Sequence, residues 1–186
     1  MDFASGKPAL LFLMTGRGRA IVLIGFMGSG KSSVGRTISR KTGWPRFDTD
    51  EIVSARIGRS IPEIFAEFGE EKFREAETEA LKGLSAVAPG IIVTGGGIVL
   101  RPENVGLLRG LGTLVYLEAD EETLFQRVSR RATRPLLQTE NPRVTLTELL
   151  RMRLPLYRQA ADFQIDTSRL SHDEVAEAIL TKMESL

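Results

Sequence analysis

A glycine-rich segment near the start of the chain has residue types and spacing that could bind phosphate. The segment GFMGSGKS, residues 25–32, supplies glycines that let successive backbone N–H groups turn inward, then a lysine and a serine. Inward N–H groups and the positive end of a following helix attract phosphate. The lysine can reach the terminal phosphates of a nucleotide, and the serine hydroxyl can bind Mg²⁺. The pattern predicts these roles for Lys31 and Ser32, with a plain glycine-rich turn as the alternative.

Two aspartates in the segment FDTD, residues 47–50, form the second candidate group. Asp48 and Asp50 are two residues apart, so on an extended segment they project the same way. One of them could hold Mg²⁺ through water while the other takes a proton from an attacking hydroxyl. The alternative is that Asp50 caps the helix that follows.

Arg74 and a run of three glycines, residues 95–97, could bind a second ligand. An arginine suits a carboxylate group, but Arg74 has glutamates at helical spacing, which favours a salt bridge within its own helix unless a ligand needs a carboxylate clamp. Three glycines leave no side chains, so a ligand could lie against the main chain there. A flexible turn is the other interpretation of the glycines.

The basic residues are concentrated in one window. Residues 127–158 contain eight arginines, no lysine and two glutamates. Arginines carried on a closing lid could stabilise a phosphoryl group during transfer and exclude water. A solvated helix face is the alternative. The window contains Arg127, Arg130, Arg131, Arg134 and Arg158. The single histidine, His172, stands at a helix start and is interpreted as a surface or capping residue.

Short β-rich runs alternate with helical stretches along the chain, which predicts a parallel sheet covered by helices on both faces. The expected strands are residues 21–24, 45–47, 91–94, 113–117 and 163–165. The fold class is therefore α/β, a three-layer α/β/α sandwich with five strands. Such a sheet carries its ligands at the carboxyl ends of the strands, where the phosphate loop and the aspartates stand.

Composition excludes several classes of function. The chain of 186 residues has no cysteine and one histidine, so it has no thiolate metal site or cysteine nucleophile, and a serine–histidine–aspartate hydrolase is disfavoured. A net charge of +1 predicts no attraction to nucleic acid or to an anionic membrane. No apolar run is long enough to span a membrane. Residues 1–19 are expected to be a leader or tail of unknown role.

Seven motifs in order resemble those of the shikimate kinase family, from about residue 20 to the C-terminus. They are GFMGSGKS, FDTDEIV, GRSIPEIF, FREAE, TGGG, TRPLL and PLYR. The resemblance implies a P-loop kinase fold like that of nucleoside monophosphate kinases, with sheet order 2-3-1-4-5. It also implies transfer of the ATP γ-phosphoryl group to the 3-hydroxyl of shikimate.

The resemblance further implies a role for each candidate residue. Lys31 and the loop residues would hold the phosphates, and Ser32 would bind Mg²⁺ with Asp48 nearby. Asp50 would grip the shikimate hydroxyls and could act as base. The carboxylate clamp would be Arg74 and Arg158. The remaining assignments are Gly28, Ser29, Gly30 and Ser33 for phosphate, Gly95, Gly96 and Gly97 for shikimate, Arg127 for adenine, and Arg134, on a lid of about residues 131–144, for phosphate and catalysis.

The implied partners are ATP, Mg²⁺ and shikimate, bound by a cytoplasmic monomer with no nucleic-acid or membrane partner. Two other functions stay open at this point. One is a related small-molecule kinase, for example one acting on gluconate, and the other is a sensory or regulatory domain that kept the pocket.

Overall fold

A computed structural model describes residues 20–84, 89–130 and 139–186. Within these ranges the strands form one parallel sheet in the order β2-β3-β1-β4-β5, so the sheet order implied by the sequence is confirmed. The strands are β1 (Ala20–Ile24), β2 (Arg46–Asp48), β3 (Ile91–Val93), β4 (Gly112–Glu118) and β5 (Phe163–Asp166).

Helices connect the strands and cover both faces of the sheet. They are α1 (Lys31–Thr42), α2 (Thr49–Ile57), α3 (Ile61–Lys82), α4 (Pro102–Leu111), α5 (Glu121–Ser129), α6 (Pro142–Ala160) and α7 (His172–Glu184), with a short 3₁₀ turn at Ile98–Leu100. Ser60 and Ser171 each form a capping box at the start of α3 and α7. The sequence predicts the capping box of Ser60 with Glu63, and it predicts Ser171 as an N-cap. Both caps stabilise helices that begin next to the ligand-binding edge of the sheet.

Helix α3 consists of two helical segments that meet at Gly69. This glycine has φ 78° and ψ 172°, far from helical values, inside the span Ile61–Lys82. The sequence predicts two helices here, one from about residue 62 and one from residue 70, and the break between them falls at this glycine. A positive φ suits glycine because it has no Cβ.

The strand pattern places one apolar cluster on each face of the sheet. Along β1, Ala20, Val22 and Ile24 belong to one cluster, while Ile21 and Leu23 belong to the other. This is the alternation expected of a strand, and all five side chains are fully buried. The three-layer α/β/α sandwich predicted from the sequence is therefore confirmed.

A third, smaller cluster joins α2 to α3 apart from the sheet. Val53, Ile64, Phe73 and Ala80 form its buried part. The cluster holds the two helices together beside the carboxyl ends of β2 and β3, and so makes one wall of the site described below.

Two expectations on domain organisation fall largely outside the described residues. The leader, residues 1–19, lies outside them. The lid, about residues 131–144, overlaps residues 131–138, which also lie outside them, whereas residues from 142 onward belong to α6. In the parts of the chain that are described, no helix is both long and apolar enough to cross a membrane.

Candidate active site

The phosphate loop connects β1 to α1 at the carboxyl edge of the sheet. Gly25, Gly28 and Gly30 all have positive φ, and Gly30 caps α1 without any side-chain hydrogen bond. The first turn of α1 has no acidic residue. The N-terminal end of this helix therefore presents backbone N–H groups and the positive end of the helix dipole to an anion.

Lys31 begins α1 and is almost completely buried. Its Nζ atom donates to the carbonyl oxygens of Gly25 at 2.7 Å and Phe26 at 2.9 Å. These bonds hold the ammonium group over the loop. Phosphate oxygens could replace the two carbonyls with stronger, charge-assisted partners.

A cavity of about 680 Å³ lies against the phosphate loop. Its wall brings together Lys31, Ser32, Asp48 and Asp50. The structure thus joins the two candidate groups that the sequence places at separate strand ends. The wall is completed by residues of the loop, of α5 and of the turn before α7, including Met27, Gly28, Gly30, Ser33, Glu51, Thr94, Gly96, Arg127, Val128, Arg130, Leu170, Ser171 and His172.

Asp48, rather than Asp50, caps α2. Its Oδ1 atom accepts a hydrogen bond from the backbone N–H of Asp50 at 3.1 Å, so the capping alternative considered for Asp50 does not hold. Burial raises the pKa of the Asp48 carboxyl and the charge of Glu51 raises it further, while the charge of Arg46 opposes both. Asp50 stands in the first turn of α2, and its side chain lines the cavity.

A second, smaller cavity of about 70 Å³ adjoins the first. Asp50, Met27 and Gly96 line both cavities. The other lining residues are Ile61, Phe65, Phe73, Arg74, Gly95, Gly97 and Arg153. The small cavity therefore has an aspartate where it meets the large cavity, two arginines, and apolar walls.

Arg74 lines the small cavity and also forms ion pairs within α3. Its guanidinium donates to Glu70 Oε1 at 2.8 Å and to Glu77 Oε2 at 2.5 Å. The two interpretations of this arginine from the sequence are thus compatible. Glu77 is fully buried, its Oε1 has no hydrogen-bond partner among the described residues, and burial raises its pKa to about 7 against the opposing charge of Arg74.

The run of glycines lets side chains approach the main chain closely. A Cβ on Gly95 would stand 2.5 Å from Glu77 Oε1 and 2.6 Å from Asp50 Oδ1. A Cβ on Gly97 would stand 2.3 Å from the Arg74 guanidinium. The glycines are therefore needed because carboxylate and guanidinium groups occupy the space beside them.

Comparison with known proteins shows which family has this arrangement. The family model described as shikimate kinase matches residues 27–184. A shikimate kinase of Thermodesulfovibrio yellowstonii is 46% identical over 166 residues, which cover 89% of this chain and 95% of that relative. A structure of the shikimate kinase from Acinetobacter baumannii in complex with shikimate has a TM-score of 0.88 and 37% identity, over 96% of this chain and 98% of that one.

The chain belongs to the shikimate kinase family. The resemblance found in the motifs is thereby confirmed, and the activity is ATP-dependent phosphorylation of shikimate. The two alternatives, a kinase acting on a molecule such as gluconate and a sensory domain, are not favoured by these relatives.

Arg158, expected to clamp the substrate carboxylate, does not lie at the small cavity. Its side chain is 54% exposed and its Nη2 atom pairs with Glu118 Oε1 at 2.7 Å. Arg153 lines the cavity in its place, almost fully buried. Arg153 donates to the carbonyl of Gly96 at 3.3 Å, lies over the ring of Phe26, and has no partner for Nε among the described residues.

The helical period explains why the structure selects Arg153. Buried positions on α6 are Leu146, Arg153, Tyr157 and Ala160, spaced by seven, four and three residues. This is the spacing of one helix face. Arg158 follows Tyr157 directly, so it points away from that face. The periodicity of α6, continued through Pro155, places Arg153 on this buried face.

Arg127, expected at the adenine, lies in the wall of the large cavity. Its guanidinium donates to the Thr167 carbonyl at 2.7 Å, to Thr167 Oγ1 at 3.1 Å and to the Gly28 carbonyl at 3.4 Å. The N–H donors of these bonds lie in the plane of the guanidinium. The bonds therefore fix the orientation of that plane beside the cavity and leave its flat faces available. A flat base could stack on that plane.

The structure places His172 but not Arg134. His172 begins α7 and lines the large cavity, close to Gly30, so it is not only a surface or capping residue. No pattern in the sequence indicated this, because the approach of β5 and α7 to the phosphate loop is a tertiary contact. Arg134 lies outside the described residues.

Proposed function

We propose that Asp50 stands between two ligands, with the ATP phosphates on one side and the shikimate hydroxyls on the other. The observation that carries the proposal is that Asp50 lines both cavities, the one that contains Lys31 and the one that contains Arg74 and Arg153. A kinase needs this arrangement, because the attacking hydroxyl and the transferred phosphorus must lie close together and in line with the leaving oxygen.

The large cavity is the proposed nucleotide site. Lys31 and the amides of residues 28–33 would hold the β- and γ-phosphates, and the flat face of Arg127 would lie against the adenine. The volume of about 680 Å³ is within the range of small-molecule and cofactor sites. Leu170 and His172 also line this cavity and would form part of its wall around the nucleotide.

A divalent cation fits at Ser32 and Asp48. Both residues line the large cavity, and a hydroxyl and a carboxylate are oxygen ligands of the kind that Mg²⁺ prefers. Among the described residues no group of three or more candidate ligands exists, so phosphate oxygens and water would complete the shell, as is usual for Mg²⁺ in kinases. Bound there, Mg²⁺ would neutralise charge on the β- and γ-phosphate oxygens.

The small cavity is the proposed shikimate site. Shikimate has a carboxylate at one end and three hydroxyls at the other. Arg74 and Arg153 would bind the carboxylate. The sequence predicts Arg158 for this role, and we propose Arg153 instead because it lines the small cavity. The main chain at residues 95–97 would lie against the ring, and Asp50 would accept the hydrogen bond of the 3-hydroxyl.

In the proposed reaction the proton of the 3-hydroxyl passes to Asp50. The hydroxyl oxygen forms a bond to the γ-phosphorus as the bond from that phosphorus to the β–γ bridging oxygen breaks. The products are shikimate 3-phosphate and ADP. Lys31 stabilises the developing charge on the phosphate oxygens, and Arg134, carried on the proposed lid of about residues 131–144, would add a second cation.

An ADP-release assay over a panel of alcohol acceptors tests this proposal. We expect turnover with shikimate, and little or none with quinate, gluconate or nucleoside monophosphates. Turnover with another acceptor but none with shikimate would contradict the assignment of the small cavity.

We further propose a cytoplasmic monomer, because ATP is a metabolite of that compartment and one chain supplies every residue named above. Light scattering would test the monomer.

A further inference from the structure

Arg46 forms a double ion pair beside the proposed metal position. Its Nη1 atom lies 3.1 Å from Asp48 Oδ2, and its Nη2 atom lies 2.8 Å from Glu51 Oε1 and 2.9 Å from Glu51 Oε2. Arg46 and Asp48 are two apart on β2, so their side chains leave the same face. Both side chains are largely shielded from water, with 17% and 9% exposed, so the attraction between them is weakly screened.

With the Arg46–Asp48 ion pair formed, each carboxylate oxygen of Asp48 accepts a hydrogen bond. Oδ1 accepts the N–H of Asp50, which caps α2, and Oδ2 accepts the Arg46 guanidinium. The hydrogen bond from Asp50 already caps the helix and orients the carboxylate. The guanidinium adds a positive charge next to the oxygen that would otherwise be available to a cation.

The fold itself does not require a charged group at position 46. The stem of Arg46 supplies packing, since its Cδ lies 3.6 Å from the place where a Cβ on Gly35 would stand. An unbranched apolar side chain of similar length could fill that space. The charge of Arg46 can therefore be tested apart from its volume.

The net charge of this group of side chains determines how strongly the site attracts a divalent cation. Arg46, Asp48 and Glu51 together carry one net negative charge. Without the guanidinium they would carry two. A bare divalent cation is repelled by Arg46, whereas a complex of the cation with ATP carries net negative charge and is not.

We propose that Arg46 is a positioning residue that makes Asp48 a poor ligand for a free divalent cation and reserves it for a cation that arrives with the nucleotide. The proposal rests on the metal position given under the proposed function. It concerns affinity and selectivity at that position, not the phosphoryl transfer step itself.

The test is Mn²⁺ binding to the nucleotide-free protein, measured from the electron paramagnetic resonance signal of free Mn²⁺. Arg46→Met should bind Mn²⁺ about fivefold more tightly than the unaltered protein, because a unit positive charge a few ångströms from the metal is removed. Arg46→Lys keeps the charge and should stay near the unaltered value. Glu51→Gln removes a negative charge and should bind Mn²⁺ more weakly.

The kinetic readout separates this role from a structural one. In Arg46→Met the KM for Mg²⁺·ATP should not fall, and inhibition by excess free Mg²⁺ should begin at a lower concentration. Loss of fold would instead lower the melting temperature in chelator and reduce kcat. Arg46→Gln serves as a second neutral variant if Arg46→Met does not fold.

The double variant Arg46→Met with Asp48→Asn locates the added affinity. The gain in Mn²⁺ affinity should disappear in it. A gain that persists, or no gain in either neutral variant, overturns the proposal. If Asp48→Asn alone leaves the affinity of Mn²⁺ for the ADP complex unchanged, the metal position in the proposed function is overturned instead.

Discussion

Glu77 lies one turn of α3 beyond Arg74 and gives it one carboxylate oxygen, while its other oxygen faces the glycine run. Oε2 accepts the Arg74 Nη1 bond at 2.5 Å, and Oε1 stands 2.5 Å from where a Cβ on Gly95 would be. A buried carboxylate thus supports the arginine that we assign to the substrate. The guanidinium is held in place before any ligand arrives, which lowers the entropy cost of binding.

This relationship predicts a pH dependence of stability. Burial raises the pKa of Glu77 from 4.5 to about 7, so between these values the folded protein holds a proton that the unfolded chain releases. The free energy of unfolding contributed by Glu77 is therefore largest below about pH 4.5 and falls as the pH rises towards 7. We expect a loss of about 1–3 kcal/mol across that interval.

Urea unfolding at intervals from pH 5 to pH 8 measures this contribution. In Glu77→Gln, the decrease in the free energy of unfolding across this pH range should be smaller than in the unaltered protein by about 1–3 kcal/mol. Glu79→Gln is the matched control, since Glu79 lies on the same helix, is exposed and pairs only at the surface. Equal slopes for the unaltered protein and Glu77→Gln would contradict the prediction.

Arg153 and Arg158 give a second prediction, because they differ in position but not in residue type. Arg153→Ala would remove the buried charge-assisted contact that we propose for the shikimate carboxylate. The KM for shikimate should rise about 30- to 150-fold, as expected for about 2–3 kcal/mol, with a smaller change in the KM for ATP. Arg158→Ala should change either KM by less than about twofold, since the Arg158 side chain is 54% exposed and does not line either cavity.

Steady-state kinetics with ATP saturating and shikimate varied will separate the two arginines. The reverse outcome, a large effect at Arg158 and none at Arg153, would restore the assignment made from the sequence. Arg153→Lys is informative as well. A lysine keeps the charge but not the planar fork, so it should recover only part of the affinity.

These two arginines also show the limits of sequence interpretation. The position of the phosphate loop and of Asp48 beside one cavity could be predicted from the sequence because each rests on a feature of a few residues: a glycine turn, a helix N-terminus, a strand end. The sheet order followed from family resemblance. Arg153 could not be assigned by local pattern alone, because its role depends on which face of α6 meets Gly96 across the fold.

The sequence does not reveal the positions of His172 and Glu77, for a related reason. His172 reaches the large cavity because α7 begins beside the phosphate loop, a contact between segments about 140 residues apart in the chain. In the sequence, nothing distinguishes Glu77 from the other glutamates at helical spacing from Arg74. Its complete burial, which distinguishes it from Glu70, depends on Gly95 and α2 packing against α3.

Gly95 gives a third prediction. Gly95→Ala places a methyl group on the carboxylate oxygens of Glu77 and Asp50. We expect kcat to fall at least about tenfold, because a displacement of Asp50 by a fraction of an ångström disturbs the alignment of hydroxyl and phosphate. We also expect a loss of about 1–3 kcal/mol in the free energy of unfolding.

The matched control for Gly95 is Gly110→Ala. Gly110 lies in α4, its Cβ would meet nothing within 4 Å, and its φ is not positive. Alanine there should stabilise the protein by about 0.5–1 kcal/mol and leave kcat unchanged. A Gly95→Ala enzyme with full activity would show that the contacts around Asp50 tolerate displacement, which the proposed geometry does not allow.

Lys31 gives the last prediction, which separates the two cavities. Lys31→Met keeps the length of the side chain and its packing but removes the charge that faces the phosphates. We expect kcat/KM for ATP to fall at least about 10³-fold, since a cation at the transferring phosphoryl group acts mainly in the transition state. Calorimetric binding of shikimate to the nucleotide-free protein should be nearly unchanged, because Lys31 does not line the small cavity. Lys41→Met, at an exposed lysine in the last turn of the same helix, should alter neither quantity. If Lys31→Met weakened shikimate binding as much as ATP use, the two cavities would not act as separate sites that meet at Asp50, and the division of ligands between them would have to be abandoned.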